Sequence, residues 1–308
     1  MPVIDGFKIG HLTIIELTGA DRVKILNNLC TQDLRNLQPG ESKETFVLDP
    51  KGRTLAHGIA ASLHHATWFI TVPNQAERLV PHFDRYIIRE DALVQDVSEN
   101  WLVSLLPPNS PWLDSPSASW INNELNCQMD SNGENLQIST HWIGAQSKLL
   151  FHKSSATQPT QFAPSDCTSR LGWEYERILH FWPWFGIDLD EKNLPQELGI
   201  DSRTISFKKG CYLGQETVAR LDALGQVQKK LCQIEVSFPP DSTPPSALSL
   251  KGLELILDEK PAGTLTSVAP SPSCALQFVG LAMLKRFAFA EDLHMQLKEH
   301  PTATIRRT

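Results

Sequence analysis

The residues best suited to chemistry lie in one short glycine-rich segment, Ser206–Leu224. Its Cys211 follows two lysines and precedes a helix predicted from about Gln215 to Gly225. Residues 203–230 carry six basic and two acidic side chains, in a chain whose net charge is −7. Neighbouring positive charge and a helix N-terminus both favour a thiolate, which predicts a pKa for Cys211 below the ordinary value of about 8.5. The alternative is an ordinary loop with a partly buried thiol and solvated lysines.

Other catalytic signatures are absent from the sequence. It contains no GxxxxGK[ST], GxGxxG, HExxH or GxSxG, so P-loop, dinucleotide-binding, zincin and hydrolase-elbow classes are excluded. The six cysteines form no CxxC pair, and the ten histidines do not cluster at metal-binding spacing. No metal site is predicted.

Composition indicates an ordinary globular protein of two or three domains. The chain has 308 residues, of which 41% are hydrophobic and 20% charged. The acidic balance argues against a protein generally coated with basic groups for nucleic acid. With no secretory signal or uninterrupted apolar span in the sequence, we expect a cytoplasmic protein with reduced cysteines and no membrane partner.

The N-terminal part alternates between strand and helix patterns. Apolar residues at helical spacing follow the first strand, and Pro50–Arg53 is a good hairpin turn between two further strands. A second helix begins at Asn74, although Pro81 is awkward inside it. Helices interleaved with strands in this order predict a split βαβ arrangement, with helices on one face of an antiparallel sheet. The strands are expected at 11–17, 44–49, 54–62, 67–72 and 92–97.

The C-terminal part has a different pattern. Apolar side chains at helical spacing predict a helix from Leu171 through Trp182, which Pro183 stops. After Gly225, short strands separated by turn residues predict a small all-β barrel. These strands are expected at 227–236, 253–257, 263–268, 275–284, 293–297 and 302–306.

Several strings resemble one known family. KGCYLGQE at 209–216, continued by TVAR, is similar to the signature of the YgfZ-type folate-binding proteins. These are relatives of the glycine-cleavage T-protein, an aminomethyltransferase, and include mitochondrial iron–sulfur assembly factors. The resemblance covers roughly residues 10–236. Further matching strings are TGADRVKILNNLCTQDL (18–34), DPKGR (49–53), PWFGIDLDEKNLPQELG (183–199) and GQVQKKL (225–231).

The resemblance implies an α+β fold, a T-protein-like ring of three parts around a central ligand hole. Residues 1–106 would form the split βαβ, ferredoxin-like part. Residues 107–224 would form a second α+β part that carries the KGCYLGQE motif, and 225–308 the small C-terminal β-barrel. Breaks rich in Pro and Ser at 107–119, 154–169 and 237–249 are compatible with such a division.

The resemblance also implies the ligand and its contacts. Tetrahydrofolate or a derivative would occupy the hole, Lys208 and Lys209 would pair with its glutamate carboxylates, and Tyr212 would stack on an aromatic ring. From the residues alone, an exposed lysine pair and a packed tyrosine explain the same positions equally well. Cys211 would be the key chemical residue. The remaining predicted ligand-binding residues are Gln215, Glu216, Arg220 and Glu176.

Two departures from the family pattern bear on function. The transferases have an acidic residue just after the DPKGR turn, where this chain has Leu55 and Ala56, and Asp49 lies before the turn. A glutamate that reads the N–H donors of the pterin is replaced by Leu179. Because an unpaired buried donor costs about 1–3 kcal/mol, folate binding is expected to be weakened or lost unless Glu176 compensates.

Three functions follow from these observations. The leading one is a folate-binding accessory protein that supports assembly or repair of iron–sulfur enzymes, including tRNA-modifying ones, through Cys211. Its partners would be a folate-type small molecule and iron–sulfur client or assembly proteins, and direct tRNA contact is not favoured. The alternatives are a tetrahydrofolate-dependent aminomethyltransferase, which would make the chain a one-carbon transfer enzyme, and a ring-fold scaffold that has lost folate.

Overall fold

The computed structural model describes residues 6–108, 110, 127–130, 133–154, 170–243, 245–291 and 293–308. The chain divides into two compact units, one of Met1–Thr168 with Ser202–Thr217 and one of Ser169–Asp201 with Val218–Thr308. The predicted breaks at 107–119 and 154–169 lie largely outside the described residues. The three-part division and the ring around a central hole stay predictions.

Strands outnumber helices in the described part of the chain. Its strands are β1 (Phe7–Gly10), β2 (Thr13–Thr18), β3 (Ser42–Leu48), β4 (Thr54–Ser62), β5 (Thr67–Thr71), β6 (Leu93–Asp96), β7 (Trp101–Leu106), β8 (Cys127–Met129), β9 (Asn135–Thr140), β10 (Ser147–Lys153), β11 (Lys229–Ser237), β12 (Glu254–Leu257), β13 (Lys260–Ser271), β14 (Cys274–Lys285), β15 (Met295–Leu297) and β16 (His300–Arg307). Its helices are α1 (Arg22–Leu29), α2 (Ala76–Asp84), α3 (Arg170–Leu179), α4 (Asp201–Thr204), α5 (Gln215–Leu224) and α6 (Ala247–Leu250). Among the residues that can be described, no helix combines the length and apolar character needed to cross a membrane.

The first sheet of the first unit is antiparallel, with strand order β3-β4-β5-β2-β6. Leu26 of α1 and Phe83 of α2 are fully buried and pack with Ile15 and Phe69 of the sheet. Burying these apolar side chains between helix and sheet is the main stabilising contribution here. The element order is the one that the sequence predicts, and its β4 bounds are identical.

A second antiparallel sheet in the same unit has the order β1-β7-β10-β9-β8, and sequence analysis assigned no element to residues 101–153. Strands β7 (WLVSLL) and β10 (SKLLFHK) carry adjacent apolar residues, so their period-2 signal is weak. The sheet is fixed instead by buried aromatic contacts. Trp101 of β7 meets Trp68 of β5 edge to face, with ring centroids 5.2 Å apart.

Helix α3 ends earlier than its pattern predicts. The helix stops at Leu179, and Phe181 takes a left-handed backbone with φ of 54°. The Trp182 N–H then donates to the Arg177 carbonyl at 2.9 Å. Trp182 is therefore buried although it lies beyond the helix, which is why its apolar spacing extended the prediction too far. The prediction that the helix runs through Trp182 is wrong.

The C-terminal strands close into a barrel with the order β11-β14-β13-β12-β15-β16, which confirms the predicted barrel. Ile234, Leu255, Leu265 and Ile305 fill its interior and are fully buried. Strand β13 is longer than the predicted 263–268, because it continues through Pro270 to an irregular end of its pairing with β14.

Candidate functional site

The loop that carries Cys211 alternates between exposed and buried side chains. Cys211, Lys208 and Gly210 are exposed, whereas Lys209 and Tyr212 are buried. The buried side chains of Lys209 and Tyr212 therefore flank an exposed stretch, Gly210 and Cys211, in which the thiol is accessible. We call this stretch the crest. The predicted lysine pair is split between these two environments.

Lys209 connects the loop to the end of α1. Its ammonium Nζ donates to the carbonyl oxygens of Asn27 at 2.6 Å, Cys30 at 2.9 Å and Gln32 at 2.7 Å. Carbonyls at a helix C-terminus have no partner within the helix and favour a cation. Burial lowers the pKa of Lys209, and the nearby Cys30 thiol acts in the opposite direction. Because an ammonium has three protons, none is left in this structure for a ligand carboxylate.

Tyr212 is the second inward support. Its ring centroid lies 4.9 Å from the Lys209 Nζ, a cation–π distance, and its side chain is only 9% exposed. Burial raises the pKa of Tyr212 to about 12. One residue further, the Leu213 N–H donates to the Asn28 carbonyl at 2.8 Å. Tyr212 thus packs inside the protein, and its predicted stacking on a ligand ring stays a prediction.

Two glycines dock the loop against the β3–β4 turn. Gly214 has φ of +77°, and a Cβ atom there would lie 2.6 Å from the Asp49 carbonyl oxygen. Gly52 has φ of +78°, and its Cβ would lie 2.7 Å from the Cβ of Thr217. The Thr217 hydroxyl donates to the Lys51 carbonyl at 2.9 Å. The DPKGR and KGCYLGQE strings thus pack against each other through their backbones.

Helix α5 begins directly after this contact, as predicted. The Tyr212 N–H donates to the Gln215 side-chain oxygen at 3.3 Å, so this predicted ligand residue closes the turn before the helix. Glu216 and Arg220 are exposed on α5. Their roles as ligand contacts stay predictions.

The segment before the motif is fixed to the chain that follows α1. The Thr31 hydroxyl donates to the Thr204 carbonyl at 2.7 Å, and the Gln32 amide donates to the Arg203 carbonyl at 2.9 Å. The Ser206 N–H donates to the Thr31 carbonyl at 3.0 Å. Sequence reasoning assigned no function to these residues. The only available signal was that residues 18–34 are one of the strings matching the family.

Cys211 lines a surface cavity of about 570 Å³. Glu90 on its wall accepts backbone N–H groups of Arg89 and Ile88, both at 3.1 Å, and these bonds lower the pKa of Glu90 to about 2. Glu90 therefore keeps its negative charge on the cavity wall. Sequence reasoning missed this residue because Glu90 lies far from the motif along the chain. A cavity of this size can seat a small molecule beside the thiol. The described lining residues are Ile25, Asn28, Leu29, Pro50, Tyr86, Glu90 and 211–216.

A second cavity, of about 960 Å³, lies at the far end of β4 from the DPKGR turn. Trp68, Trp101 and Lys153 are among its lining residues. In the described part of the chain, none of the predicted site residues lines it. This cavity is therefore separate from the one that Cys211 lines, and no residue of the KGCYLGQE motif faces it.

The position after the DPKGR turn carries no acid, as the sequence indicates. Ala56 is buried in β4 and Leu55 is half-buried. One carboxylate oxygen of Asp49 accepts the backbone N–H groups of Lys51 and Arg53, both at 2.8 Å. Asp49 therefore caps the turn and is engaged by the backbone.

In the second unit, Leu179 ends α3 with its side chain 42% exposed. The Gln233 amide donates to the carbonyls of Ile178 at 2.9 Å and Leu179 at 3.0 Å. Glu176 lies 3.5 Å from the ring nitrogen of His180, one turn later. Compensation by Glu176 for the missing glutamate stays a prediction.

Asp188, the last residue of the PWFGID string, belongs to a buried ion pair. Arg177 donates to the Asp188 carboxylate and to the Ser267 hydroxyl, both at 2.7 Å, and neither charged side chain is exposed. Asp188 also accepts the hydroxyls of Ser267 and Thr266 at 2.6 Å. Charge and hydrogen bonds thus stabilise the conformation of the chain after α3.

Of the residues predicted to contact a folate, Lys208 is exposed and would be available to a glutamate carboxylate, whereas Lys209 and Tyr212 are engaged within the fold. No acid stands at position 179 to accept the N–H donors of a pterin. Across the same described ranges, no group of three or more His, Cys, Asp or Glu side chains could hold a metal ion. Binding of a folate by these residues stays a prediction.

The fold is that of an aminomethyltransferase of the glycine cleavage system. The solved structure of aminomethyltransferase T from Bartonella henselae matches 98% of this chain and 84% of its own, with a TM-score of 0.76 and 14% sequence identity. At that identity the likeness establishes the fold alone. No protein-family model matches the chain.

Two relatives of known name show which proteins the sequence is similar to. The mitochondrial iron–sulfur cluster assembly factor IBA57 homolog of Mycosarcoma maydis is 24% identical over 78% of this chain. The tRNA-modifying protein YgfZ of Vibrio atlanticus is 25% identical over 70% of it. This chain is thus a relative of the YgfZ and IBA57 proteins with an aminomethyltransferase-type fold, which confirms the resemblance seen in the sequence. The matches span 59% and 65% of the length of these two relatives.

Proposed function

We propose that this chain is an accessory protein that supports the assembly or repair of iron–sulfur enzymes, including tRNA-modifying ones, through Cys211. The main supporting observation is an exposed thiol beside a cavity of about 570 Å³. The loop that carries the thiol is held by the buried contacts of Lys209. Relatives named for iron–sulfur cluster assembly and for tRNA modification support the same role. The chemistry lies in an accessible thiol, which can form covalent bonds to sulfur or to a carbon electrophile.

The small-molecule partner in this proposal is tetrahydrofolate or a derivative, held chiefly by its glutamate tail. Lys208 supplies the exposed charge for a carboxylate. Lys209 is assigned no ligand contact, because its three protons go to backbone carbonyls. The resemblance of KGCYLGQE to the signature of folate-binding proteins supports a folate-type ligand as the class.

The protein partners proposed are iron–sulfur client or assembly proteins of the cytoplasm. Direct binding of tRNA is not part of the proposal, because the net charge is −7 and the basic segment is short. A phosphate backbone would need several basic contacts, and a client enzyme can supply them itself.

Complementation tests this function. In a bacterial strain whose own YgfZ protein is deleted, the wild-type chain is expected to restore methylthiolated tRNA, measured by mass spectrometry, and Cys211→Ser is not. Cys274→Ser is the matched control, because Cys274 is a partly exposed thiol on the barrel strand β14. Full restoration by Cys211→Ser at equal protein level would overturn the proposal.

A second candidate is a tetrahydrofolate-dependent aminomethyltransferase, because one sequence relative of this chain is named an aminomethyltransferase. Against it, Ala56 is buried and apolar, and the Asp49 carboxylate caps its own turn. A catalytic acid would have to stand near the folate nitrogen to move a proton. We therefore expect no turnover with a lipoyl-bound aminomethyl donor and tetrahydrofolate. Turnover that disappears in Asp49→Asn would establish the transferase instead.

A further inference from the structure

Lys209 joins two parts of the chain that are distant in sequence. Its three acceptors, the carbonyls of Asn27, Cys30 and Gln32, lie 182, 179 and 177 residues away. The side chain is 5% exposed, so this contact is made inside the protein. A charged donor that satisfies three carbonyls at a helix end gives strong hydrogen bonds in a medium with little water.

We infer that Lys209 is a positioning residue for Cys211: its ammonium holds the motif loop against the end of α1, so that the thiol two residues later stands on the exposed crest. This rests on the proposed function insofar as Cys211 is the working residue. It reassigns Lys209 from ligand recognition to support of the thiol.

The position of Cys211 between two anchors explains why the lysine matters. On its C-terminal side the loop is held by the Leu213 N–H on Asn28 and by the close approach of Gly214 to the β3–β4 turn. On its N-terminal side Lys209 is the adjacent inward contact. Gly210 has open space at its Cβ position and restrains the backbone little. Without the ammonium, the next contact on that side is the Ser206 N–H on the Thr31 carbonyl, five residues before Cys211, so the crest would be held less closely.

A neutral side chain cannot replace the ammonium. Methionine has a similar length but no donor, and would leave three carbonyls at the helix end without their partner. Arginine keeps the charge and several donors in a planar group, which can reach some of the three acceptors. Lys208→Met is the matched control, since it removes a charge from the exposed neighbouring position.

The experiment measures local order in folded protein. In Lys209→Met, the Leu213 amide is expected to exchange hydrogen at least about tenfold faster than in wild type, while amides of β5 in the sheet centre keep their rates. A nitroxide on Cys211, in a Cys274→Ser background, is expected to become more mobile in Lys209→Met. Lys209→Arg should restore part of both effects, and Lys208→Met should change neither.

Unchanged Leu213 exchange and nitroxide mobility in folded Lys209→Met would overturn the inference, as would an equal change in all β5 amides. If Lys209→Met does not fold, the same measurements on Lys209→Arg decide, with partial loosening as the supporting result. Failure of both variants to fold would make Lys209 a folding residue and overturn it too. These readouts need no ligand or client, so they stand apart from the complementation result of Cys211→Ser.

Discussion

A Cβ atom on Gly214 would lie 2.6 Å from the backbone carbonyl oxygen of Asp49, closer than real side chains approach a carbonyl. Gly214 also has a left-handed backbone, with φ of +77°. The contact joins the turn before α5 to the hairpin turn between β3 and β4. The Thr217 hydroxyl donates to the Lys51 carbonyl beside it, which adds a second link between the two turns.

Gly214→Ala is therefore expected to lower the free energy of unfolding by at least about 2 kcal/mol, through backbone strain and displacement of the Asp49 carbonyl. Gly210→Ala is the matched control in the same motif. It has open space at Cβ and should change stability by less than about 0.5 kcal/mol. Urea unfolding of the two variants measures the difference. Equal stabilities would contradict the docking role of Gly214.

Cys211 is expected to react with iodoacetamide faster at neutral pH than a cysteine in the unfolded chain, because it is exposed beside Lys208 and close to the start of α5. Mass spectrometry of labelled peptides over pH 5 to about 9 gives the rate. Cys232, buried in the barrel, is the internal reference. A Cys211 rate no higher than that of the unfolded chain would refute this prediction.

Cys211→Ser should leave the fold intact. The exposed thiol contributes little buried area, so the free energy of unfolding should change by less than about 0.5 kcal/mol. Chemical denaturation measures it. A large loss of stability would mean that complementation failure in this variant reports folding and not chemistry.

Folate binding should depend on the glutamate tail of the folate. Lys208→Ala is expected to weaken tetrahydrofolate binding by about 1.5–3 kcal/mol in calorimetry, and added salt should weaken wild-type binding. Leu179→Glu should tighten binding, because a carboxylate would meet the N–H donors of the pterin. Lys260→Ala, on an exposed part of the barrel, is the control. No binding by any of these folded proteins would favour the scaffold that has lost folate.

Removing one partner of the buried Arg177–Asp188 pair should strongly destabilise the second unit. Arg177→Met would leave the Asp188 carboxylate buried without its cation, at a cost of about 3–5 kcal/mol. Glu174 also bonds Arg177, but its side chain is 26% exposed, so Glu174→Gln should cost less than about 1 kcal/mol. Thermal unfolding compares the two. A small effect of Arg177→Met would show that the pair contributes little net stability.

His82 should make stability depend on pH. Burial, and then the charge of Arg85, lowers the pKa of His82 from 6.5 to about 4. The unfolded chain therefore takes up this proton first as pH falls, and stability declines between pH 6.5 and about 4 by roughly 3 kcal/mol. His82→Gln should flatten this decline, whereas His65→Gln on an exposed turn should not. Parallel pH profiles for wild type and His82→Gln would contradict the assignment.

The sequence alone predicts the parts of this protein that are written in local patterns. The hairpin of β3 and β4, helix α5 and the C-terminal barrel follow from turn residues and from the spacing of apolar side chains. The KGCYLGQE string likewise identifies the relatives, because its residues are contiguous. Such features depend on neighbours within a few positions, which a sequence displays directly.

Tertiary structure decides how those parts act on one another. Lys208 and Lys209 are adjacent and identical in type, yet one is exposed and the other donates to carbonyls near residue 30. Glu90 reaches the cavity of Cys211, and the second sheet pairs β1 with β7, a strand that is distant in sequence. Contacts between distant segments set burial, and burial determines whether a lysine binds a ligand or the backbone. No local pattern carries that information.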